Sequence, residues 1–442
     1  MINWLQAAYT ELDPDEAYYW MYSKVLDWGY FDHPPFLALL IHLGYSLFPS
    51  DLGVRSMVAL LQPISFYFIW LLLDKPTEKK EVVLLLLILA AMPLLQVYGF
   101  IATPDGPLLF FTCVFLYAYK RFLEEDNKYT ALFLGLCMAA LLYSKYHGLL
   151  LILFTLFSNL NLLRRKNFYL AGVFGVLLFL PHLYWQYTHD FPSFRYHLSG
   201  RDDLYQFKYT SNYLVNQMVV FSPFLFPLII YALFKTKVNS QLRKAYYFII
   251  FGFWIFFLWA TTKGHVEPQW TAVLSIPFVL LLFQYAQKEP VFALWLKRLS
   301  FVTIGLLLIG RLLIVFPIIP LKSEFFNRQW VADLKDISKD RPVIFENSYR
   351  DVSKYTFYSG DLAYTFTDLD YRRNQFDIWD WEKNLHNRNV LFAGQRDWEC
   401  KDCELIEFGR KKYMLKFADS LQVSQKVKFL LPKFRKDWKV GS

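Results

Sequence analysis

Residues 82–98 read V-V-L-L-L-L-I-L-A-A-M-P-L-L-Q-V-Y and contain no charged side chain. At 1.5 Å per residue, a helix of this length measures roughly 25 Å, which is close to the thickness of a bilayer's hydrocarbon core. The run also lacks the regular polar positions that an element of a water-soluble protein places on its exposed face. This stretch therefore predicts a transmembrane helix.

Composition places the whole chain in the same class. Of its 442 residues, 55% are hydrophobic and 20% are aromatic. We predict a mainly α-helical, multi-span membrane protein with about ten spans, some of which need interfacial residues to cross. The apolar segments are approximately 53–73, 82–98, 107–123, 131–144, 148–163, 169–187, 214–234, 246–262, 271–286 and 300–320.

Lys and Arg are concentrated in alternate loops, and such loops stay in the cytoplasm. The basic loops hold Lys75, Lys79, Lys80, Lys120, Arg121, Lys128, Arg164, Arg165, Lys166, Lys235, Lys237, Arg243, Lys244, Lys288, Lys297 and Arg298. The opposite loops are 99–106, 145–147, 188–213 and 263–270. We expect those loops, residues 13–52 and the tail from about 321 to face the periplasm of a bacterial inner membrane. The net charge of +9 is mostly this bias, so it indicates no nucleic-acid partner.

Three parts are predicted along the chain: 1–52, 53–320 and 321–442. The first twelve residues reach only about 18 Å as a helix, so we expect the chain to begin inside a first transmembrane helix. Segments 15–27 and 36–48 are expected to lie along the outer interface, the first as an amphipathic helix and the second as an apolar segment too short to cross. The central part is the helical membrane core.

The tail mixes strand-like runs with a helical pattern near 327–339, which predicts a small soluble α/β domain. The strand-like runs are R-P-V-I-F-E (341–346), N-V-L-F-A (389–393) and Y-M-L-K-F (413–417). Cys113 and Cys137 lie in spans and are interpreted as small hydrophobic residues. Cys400 and Cys403 form a C-x-x-C, which allows a local disulfide, whereas a zinc site would lack its other ligands. The chain has neither a P-loop nor a G-x-G-x-x-G motif.

The segment D-P-D-E (13–16) has a structural and a functional interpretation. Asp13 as N-cap, Pro14 in the first turn and Glu16 three residues after the cap form a well-made helix start, and Asp15 complements the helix dipole. The functional interpretation gains weight because other polar clusters are predicted at the same depth in the membrane. Carboxylates next to aromatic residues then line a site rather than only a helix end.

Two of these clusters are T-P-D-G-P (103–107) and Y-S-K-Y-H-G (143–148). Turn chemistry explains the Pro and Gly residues of the first but does not require Asp105. Lys145 in the second either extends to the lipid headgroups or serves a site.

A third cluster, K-G-H-V-E-P-Q-W (263–270), places His265 and Glu267 on one side of an extended loop. There they either share a divalent metal ion or a phosphate, or belong to an interfacial Trp belt. Arg311, inside the last span, either binds a lipid phosphate or pairs with polar atoms of a neighbouring helix.

Topology brings these side chains to one edge of the bundle. The set comprises Asp15, Glu16, His33, Asp105, Lys145, His147, Lys263, His265 and Glu267. Transfer of a group onto a hydroxyl needs a carboxylate that accepts the proton and cations that hold a leaving phosphate. The sequence therefore predicts a transfer enzyme whose site opens at the outer surface.

Five motifs carry a resemblance to a known family. They are D-P-D-E-A-Y-Y-W (13–20), G-Y-F-D-H-P-P (29–35), A-T-P-D-G-P-L-L-F-F (102–111), S-K-Y-H-G-L-L and G-H-V-E-P-Q-W. Over about residues 13–320 the chain resembles the bacterial dolichyl-phosphate-mannose-protein mannosyltransferase-like family. That family has the type-C glycosyltransferase fold and is related to the lipid A aminoarabinose transferases.

The resemblance implies roles for individual residues. Asp15 matches the family's catalytic acidic position, with Glu16 as its companion, and Asp105 matches a second acid of the same cavity. Lys145 matches a cation near the carrier phosphate, and Arg311 is a further candidate for that phosphate. His265, Glu267 and His33 are implied as metal or substrate residues. The form H-V-E-P-Q-W departs from the H-W-P-like form expected of relatives.

The implied reaction moves a sugar from a polyprenyl-phosphate carrier to a hydroxyl of a glycolipid or protein acceptor, with inversion at the anomeric carbon. The tail is expected to cover the cavity or to help choose the acceptor. Two alternatives stay open at this stage. One is a ligase that transfers a whole lipid-linked oligosaccharide, and the other is a transporter or flippase, which usually holds its site at the membrane midplane.

Overall fold

The protein is described from a computed structural model that covers residues 2–199, 204–316, 328–367, 371–394, 403–408 and 411–421. A helical region comes first and a sheet domain follows it. The helices of the first region are α1 Ile2–Tyr9, α2 Pro14–Lys24, α3 Phe36–Leu47, α4 Asp51–Leu72, α5 Lys79–Ala90, α6 Pro93–Val97, α7 Asp105–Glu124, α8 Lys128–Ser144, α9 His147–Ser158, α10 Lys166–Thr188, α11 Pro192–Ser199, α12 Phe207–Val220, α13 Phe226–Lys235, α14 Gln241–Ala260, α15 Ser275–Ala286 and α16 Pro290–Val315. Short 3-10 helices occupy Leu160–Arg164 and Pro268–Leu274.

Five helical segments are long and apolar enough to cross a membrane within the described ranges. They are Asp51–Leu72, Lys166–Thr188, Gln241–Ala260, Pro268–Ala286 and Pro290–Val315. Among the other predicted spans, 82–98 and 214–234 each form a pair of helices, and 131–144 and 148–163 form shorter helices. The span 107–123 forms α7, which ends in charged residues. Pro93 separates α5 from α6 because it has no N–H to continue the helix, and Ser222, at φ 71°, separates α12 from α13. Breaks of this kind divide the predicted spans 82–98 and 214–234.

One boundary of the predicted topology changes. The last span was expected at 300–320, but α16 begins at Pro290, so Lys297 and Arg298 lie inside a helix rather than in a loop. Residues 317–320 lie outside the described ranges. The predicted interfacial segments form α2 and α3, close to their expected bounds.

Small residues allow close approach between the helices of the core. A Cβ atom added to Gly135 of α8 would lie 2.4 Å from the carbonyl oxygen of Ala171 in α10. Only a residue without a side chain tolerates this separation. The α8–α10 pair therefore packs backbone to backbone, and it holds the C-terminal end of α8, where Lys145 follows, in a fixed position.

The C-terminal domain contains α17 Gln329–Ser338, β1 Val343–Glu346, α18 Tyr349–Ser359, β2 Tyr364–Phe366, α19 Gln375–Trp379, a 3-10 helix at Trp381–Leu385, β3 Val390–Gly394, β4 Glu404–Phe408 and β5 Lys411–Ala418. The sheet order is β2-β1-β3-β5-β4, with β1 parallel to β2 and β3 and with β5 antiparallel to β3 and β4. The three predicted strands and the helix near 327–339 are all present. Cys403 is disulfide-bonded, and Cys400 lies outside the described residues.

The sheet domain docks onto α2. The backbone N–H of Gln375 donates to the Tyr18 hydroxyl at 2.7 Å, and the N–H of Leu12 donates to the Tyr358 hydroxyl at 2.7 Å. Tyr18 and Trp330 belong to one continuous apolar core that joins both regions. Because the loops after the parallel strands β1 and β2 meet α2, the carboxyl edge of the sheet faces the helical region.

Candidate active site

A cavity of about 410 Å³ lies where α2, the α6–α7 loop, the α8–α9 junction and the C-terminal domain meet. Five of the eight predicted site residues line it: Asp15, His33, Asp105, Lys145 and Glu267. Its other ionisable lining residues are Asp13, Tyr18, Tyr19, Asp32, Tyr98, His147, Tyr196, His197, Tyr349, Arg350 and Arg372. Segments far apart in sequence thus place acids, imidazoles and cations around one space.

Asp105 and Lys145 form a buried ion pair in this cavity. The Lys145 Nζ lies 2.8 Å from each carboxylate oxygen of Asp105, and both side chains are 7% exposed. Asp105 is the first residue of α7, and Lys145 follows α8. Lys145 therefore lies against a carboxylate inside the protein instead of extending to the headgroups.

Asp15 forms a second pair, with Arg350 of the C-terminal domain. The Arg350 Nε donates to Asp15 Oδ1 at 2.9 Å, and a terminal nitrogen donates to Oδ2 at 3.1 Å. The side chain of Asp15 is 35% exposed and that of Arg350 is 49% exposed. Both residues stand at helix starts, Asp15 in the first turn of α2 and Arg350 in that of α18. Water in the cavity therefore reaches this pair more easily than the buried one.

A third pair joins Asp32 to Arg372. The Arg372 guanidinium also lies over the rings of Tyr196 and Tyr349, at 4.6 and 5.3 Å from their centroids. Asp32 also accepts a hydrogen bond from the Tyr22 hydroxyl at 3.0 Å. The site interpretation from sequence missed this pair, although Asp32 lies within the quoted motif G-Y-F-D-H-P-P. Arg350 and Arg372 had no such signal, because no motif marks the tail.

The three carboxylates surround one tyrosine. Burial raises the pKa of Tyr19 well above its usual range, and the nearby charges of Asp15, Asp32 and Asp105 add to the effect. The phenol of Tyr19 is therefore a neutral hydrogen-bonding group among these acids.

Cationic and imidazole groups surround His33. Burial lowers its pKa well below the usual range, and the charge of Lys145 and then the groups of His197, Arg372 and His147 lower it further. His33 is therefore neutral at physiological pH, and its buried Nδ1 has no hydrogen-bond partner in the part of the chain that the structure describes. The same groups that disfavour a proton on His33 favour an anion beside it.

Glu16, which we predicted as a catalytic companion of Asp15, does not line the cavity. Its carboxylate is fully buried and pairs with the fully buried guanidinium of Arg55 in α4. It also accepts hydrogen bonds from the backbone N–H of Ala102 at 2.7 Å and of Asp13 at 3.0 Å. Asp15 and Glu16 are consecutive on a helix, so their side chains point about 100° apart. Glu16 therefore ties α2, α4 and the loop before α7 together.

Arg311, predicted as a phosphate ligand, also lies outside the cavity lining. Its guanidinium donates to the side-chain oxygens of Gln6, Asn3 and Gln96 and lies 5.0 Å from the Phe100 ring centroid. These contacts correspond to the second interpretation of Arg311, in which it pairs with polar atoms of neighbouring helices. Amide oxygens replace water around the buried charge and join α1 to α16.

His265 and Glu267 do lie together, with the His265 Nε2 3.8 Å from Glu267 Oε1. Glu267 lines the cavity, whereas His265 is 45% exposed and is absent from the lining. Among the described residues, no group of three His, Cys, Asp or Glu side chains is arranged to hold a metal ion. The predicted divalent ion therefore has no such set of ligands there, and we assign it no step.

Asp13 lines the cavity and caps α2, accepting a hydrogen bond from the N–H of Asp15 at 2.9 Å. Burial, then the charges of Asp15 and Glu16, raise its pKa from 3.8 to about 7. Between these two pH values the folded protein keeps a proton that the unfolded chain has released. Stability due to Asp13 therefore falls as pH rises through this window, and the loss is complete above pH 7.

We expect Asp13→Asn to remove this loss, because Asn caps a helix as well as Asp does and carries no charge. At pH 8 the variant should be more stable than the parent by about 1 to 3 kcal/mol. The measurement is thermal or denaturant unfolding in detergent at pH 5, 6, 7 and 8. Parallel pH profiles for the two proteins would show that Asp13 does not titrate in this range.

Comparison with known proteins shows which sequences this chain is similar to. Residues 32–185 match the family model described as dolichyl-phosphate-mannose-protein mannosyltransferase. A lipid A galacturonosyltransferase, RgtD, from Rhizobium johnstonii is 26% identical over 190 residues, which are 41% of this chain and 40% of that protein. The matched region thus spans well under half of the curated relative. The resemblance to the mannosyltransferase-like family that the motifs indicated is confirmed.

Solved structures show the same fold over almost the whole chain. The apo structure of ArnT from Cupriavidus metallidurans has a TM-score of 0.67 at 14% identity, over 94% of this chain and 95% of ArnT. The structure of the same protein bound to undecaprenyl phosphate has a TM-score of 0.65 at 15% identity, with the same coverage. The predicted fold, a helical membrane bundle of the type-C glycosyltransferase kind with a small C-terminal α/β domain, is confirmed.

Proposed function

We propose that this protein is an inverting membrane glycosyltransferase that moves a sugar from a polyprenyl-phosphate carrier to a hydroxyl of a glycolipid acceptor. The observation that carries the proposal is the single cavity in which Asp15, Asp105 and Lys145 meet. A site of this composition suits transfer from a phosphate leaving group onto a hydroxyl. The ArnT relative bound to undecaprenyl phosphate and the lipid A galacturonosyltransferase support the classes of donor and acceptor.

In the proposed reaction the acceptor hydroxyl attacks the anomeric carbon while its proton passes to a carboxylate oxygen of Asp15. The bond between that carbon and the phosphate oxygen breaks, and the polyprenyl phosphate leaves with the bonding electron pair. One displacement of this kind inverts the anomeric centre. Lys145, with the neutral imidazole of His33 beside it, faces the developing phosphate charge.

The buried Asp105 has a different role in this mechanism. Its two oxygens hold the Lys145 ammonium at 2.8 Å, so the cation is in place before the donor arrives. Preorganised charge of this kind needs no rearrangement as the phosphate leaves. Asp105 is therefore a positioning residue for Lys145.

The orientation of the cavity belongs to the proposal as well. The basic loops predict that the site opens to the periplasm of a bacterial inner membrane. Nucleotide sugars are absent there, which is why the sugar must arrive on a lipid. Tagging of single cysteines in loop 263–270 and in loop 75–80 with a membrane-impermeant reagent tests this. If only loop 75–80 is labelled in intact cells, the cavity faces the cytoplasm and the proposed orientation is wrong.

The function is tested with the purified chain, a radiolabelled polyprenyl-phosphate sugar and a glycolipid acceptor. We expect acceptor-dependent release of polyprenyl phosphate and a product heavier by one sugar. Addition of many sugars in one step would identify an oligosaccharide ligase instead. If no carrier-linked sugar is transferred to any acceptor tried, the proposed function is wrong.

Replacement of Lys145 tests the donor-phosphate site. We expect Lys145→Gln to raise the KM for the donor by about 10- to 100-fold, since a charge-assisted contact with phosphate is worth about 1.5–3 kcal/mol. Lys145→Arg keeps the charge and should recover much of this loss. Lys120→Gln breaks a Lys–Asp pair at the other end of α7 and serves as the matched control. If folded Lys145→Gln has the same donor KM as the parent, Lys145 does not bind the donor phosphate.

A further inference from the structure

Arg350 occupies both oxygens of the carboxylate that the proposed mechanism uses as a base. A guanidinium bound in this way places an N–H donor on each carboxylate oxygen, so the acceptor hydroxyl has to compete with Arg350 for those oxygens. The base therefore works best when Arg350 has another partner. The contacts of Arg350 indicate what kind of partner that is.

We propose that Arg350 is a specificity-determining residue that binds an anionic group of the acceptor, phosphate or carboxylate, and that this exchange frees Asp15 to accept the hydroxyl proton. The proposal rests on the function proposed above. It adds the charge of the acceptor and a reason for the C-terminal domain to reach the cavity.

The three ion pairs of the cavity differ in how readily they exchange. Asp32 is 5% exposed, and Asp105 and Lys145 are 7% exposed, so breaking either of these pairs leaves a charge buried and uncompensated. The Arg350 and Asp15 side chains are 49% and 35% exposed, and such a pair contributes about 1 kcal/mol or less. An incoming oxyanion can therefore replace Asp15 at Arg350 at little cost.

The surroundings of Arg350 favour an oxyanion. Arg350 and Arg372 come from the segments after β1 and β2, and their guanidinium carbons lie 5.9 and 5.3 Å from the centroid of the same Tyr349 ring. Among the described residues, the buried Nε of Arg372 has no hydrogen-bond partner. Two guanidinium groups beside one ring, one exchangeable and one with a spare donor, match the several acceptor oxygens of phosphate or carboxylate.

This arrangement couples the acceptor to the chemistry. Without an acceptor, both oxygens of Asp15 stay paired with Arg350 and do not take a proton from water, so the donor is protected from hydrolysis. With an anionic acceptor, the guanidinium moves to the acceptor and both carboxylate oxygens of Asp15 become open to the hydroxyl. The atoms and charges of the transfer itself are those of the proposed mechanism, with the proton ending on Asp15.

The experiment compares Arg350→Gln with the full-length parent on two acceptors, a phosphorylated glycolipid and the same glycolipid after dephosphorylation. A third acceptor, which carries a carboxylate in place of the phosphate, distinguishes the two sources of the anion. Arg341→Gln is the matched control, because Arg341 pairs with Asp419 at 3.0 Å in the same domain and does not line the cavity. Hydrolysis of the donor without any acceptor is measured alongside.

We expect the parent and Arg341→Gln to prefer an anionic acceptor by about 10- to 100-fold in kcat/KM, the range that one charged contact supports. In Arg350→Gln this ratio should fall to about one, and hydrolysis of the donor should rise severalfold because Asp15 is no longer paired. Arg350→Lys keeps the charge without the two-point geometry and should lie between them.

Two results would overturn the inference. One is an unchanged acceptor ratio in Arg350→Gln, and the other is a higher donor KM with no change in that ratio, which would assign Arg350 to the donor phosphate. Both presuppose that the parent transfers sugar. If the parent protein transfers sugar to no acceptor, the proposed function itself is wrong. The failure of the proposed function is therefore distinguishable from the failure of the role proposed for Arg350.

Discussion

Replacing Asp15 by Asn should reduce sugar transfer by about a thousandfold while the protein still folds. General bases contribute roughly 10²- to 10⁴-fold to such reactions, and an amide cannot take the hydroxyl proton. The side chain of Asp15 is 35% exposed and its pairing with Arg350 is correspondingly weak, so its loss should shift the unfolding transition little. Transfer from a purified carrier-linked sugar is the measurement, with thermal unfolding in detergent as the test of folding.

The control for this experiment is Asp361→Asn. Asp361 pairs with Lys335 at 2.9 Å on the C-terminal domain, and it is 57% exposed and outside the cavity lining. The same chemical change there should leave transfer within about twofold of the parent, since surface changes of this kind have small effects. Full activity in Asp15→Asn would exclude Asp15 as the base.

Glu16→Gln is expected to act on folding instead. Glu16 and Arg55 are both fully buried, and removal of one partner from a buried ion pair costs about 3–5 kcal/mol because the remaining charge has no counter-ion. The change should lower the yield of folded protein and the free energy of unfolding. The fraction that folds should keep a kcat near that of the parent, because Glu16 does not line the cavity.

A second variant separates the two roles that Glu16 has been given. In Glu16→Gln/Arg55→Met no buried charge is left unpaired, so stability should recover in part. Glu124→Gln, which breaks an exposed pair with Arg121, is the control and should change stability by about 0.5 kcal/mol or less. A normally stable Glu16→Gln protein that has lost transfer would support the catalytic role predicted from the family resemblance.

Local patterns in the sequence predicted the start of α2 and three of the described strands. Asp13 and Glu16 form the expected capping box of α2, and the strand-like runs at 341–346, 389–393 and 413–417 form β1, β3 and β5. The short β2 and the strand β4 were not predicted. β2 has only three residues, and β4 is mostly exposed, so neither shows the apolar run that marks the buried strands β1 and β3.

The site was predicted in part, and the division has a structural reason. Asp15, Asp105 and Lys145 were found because each lies in a motif at a helix end, and helix ends on one side of a bundle meet. Arg350 and Arg372 were missed because their partners lie 335 and 340 residues away in sequence. No spacing along the chain encodes contacts of that separation.

The sequence by itself determined the class of the protein, because apolar length and the placement of Lys and Arg are properties of the chain. It also determined which charged residues stand at helix ends. Only the tertiary structure decided which partner each charge has: Arg55 for Glu16, Arg350 for Asp15, and amide oxygens for Arg311. Pairing depends on how the sheet domain docks on α2 and on which face of a helix turns inward, and both are consequences of packing the whole chain.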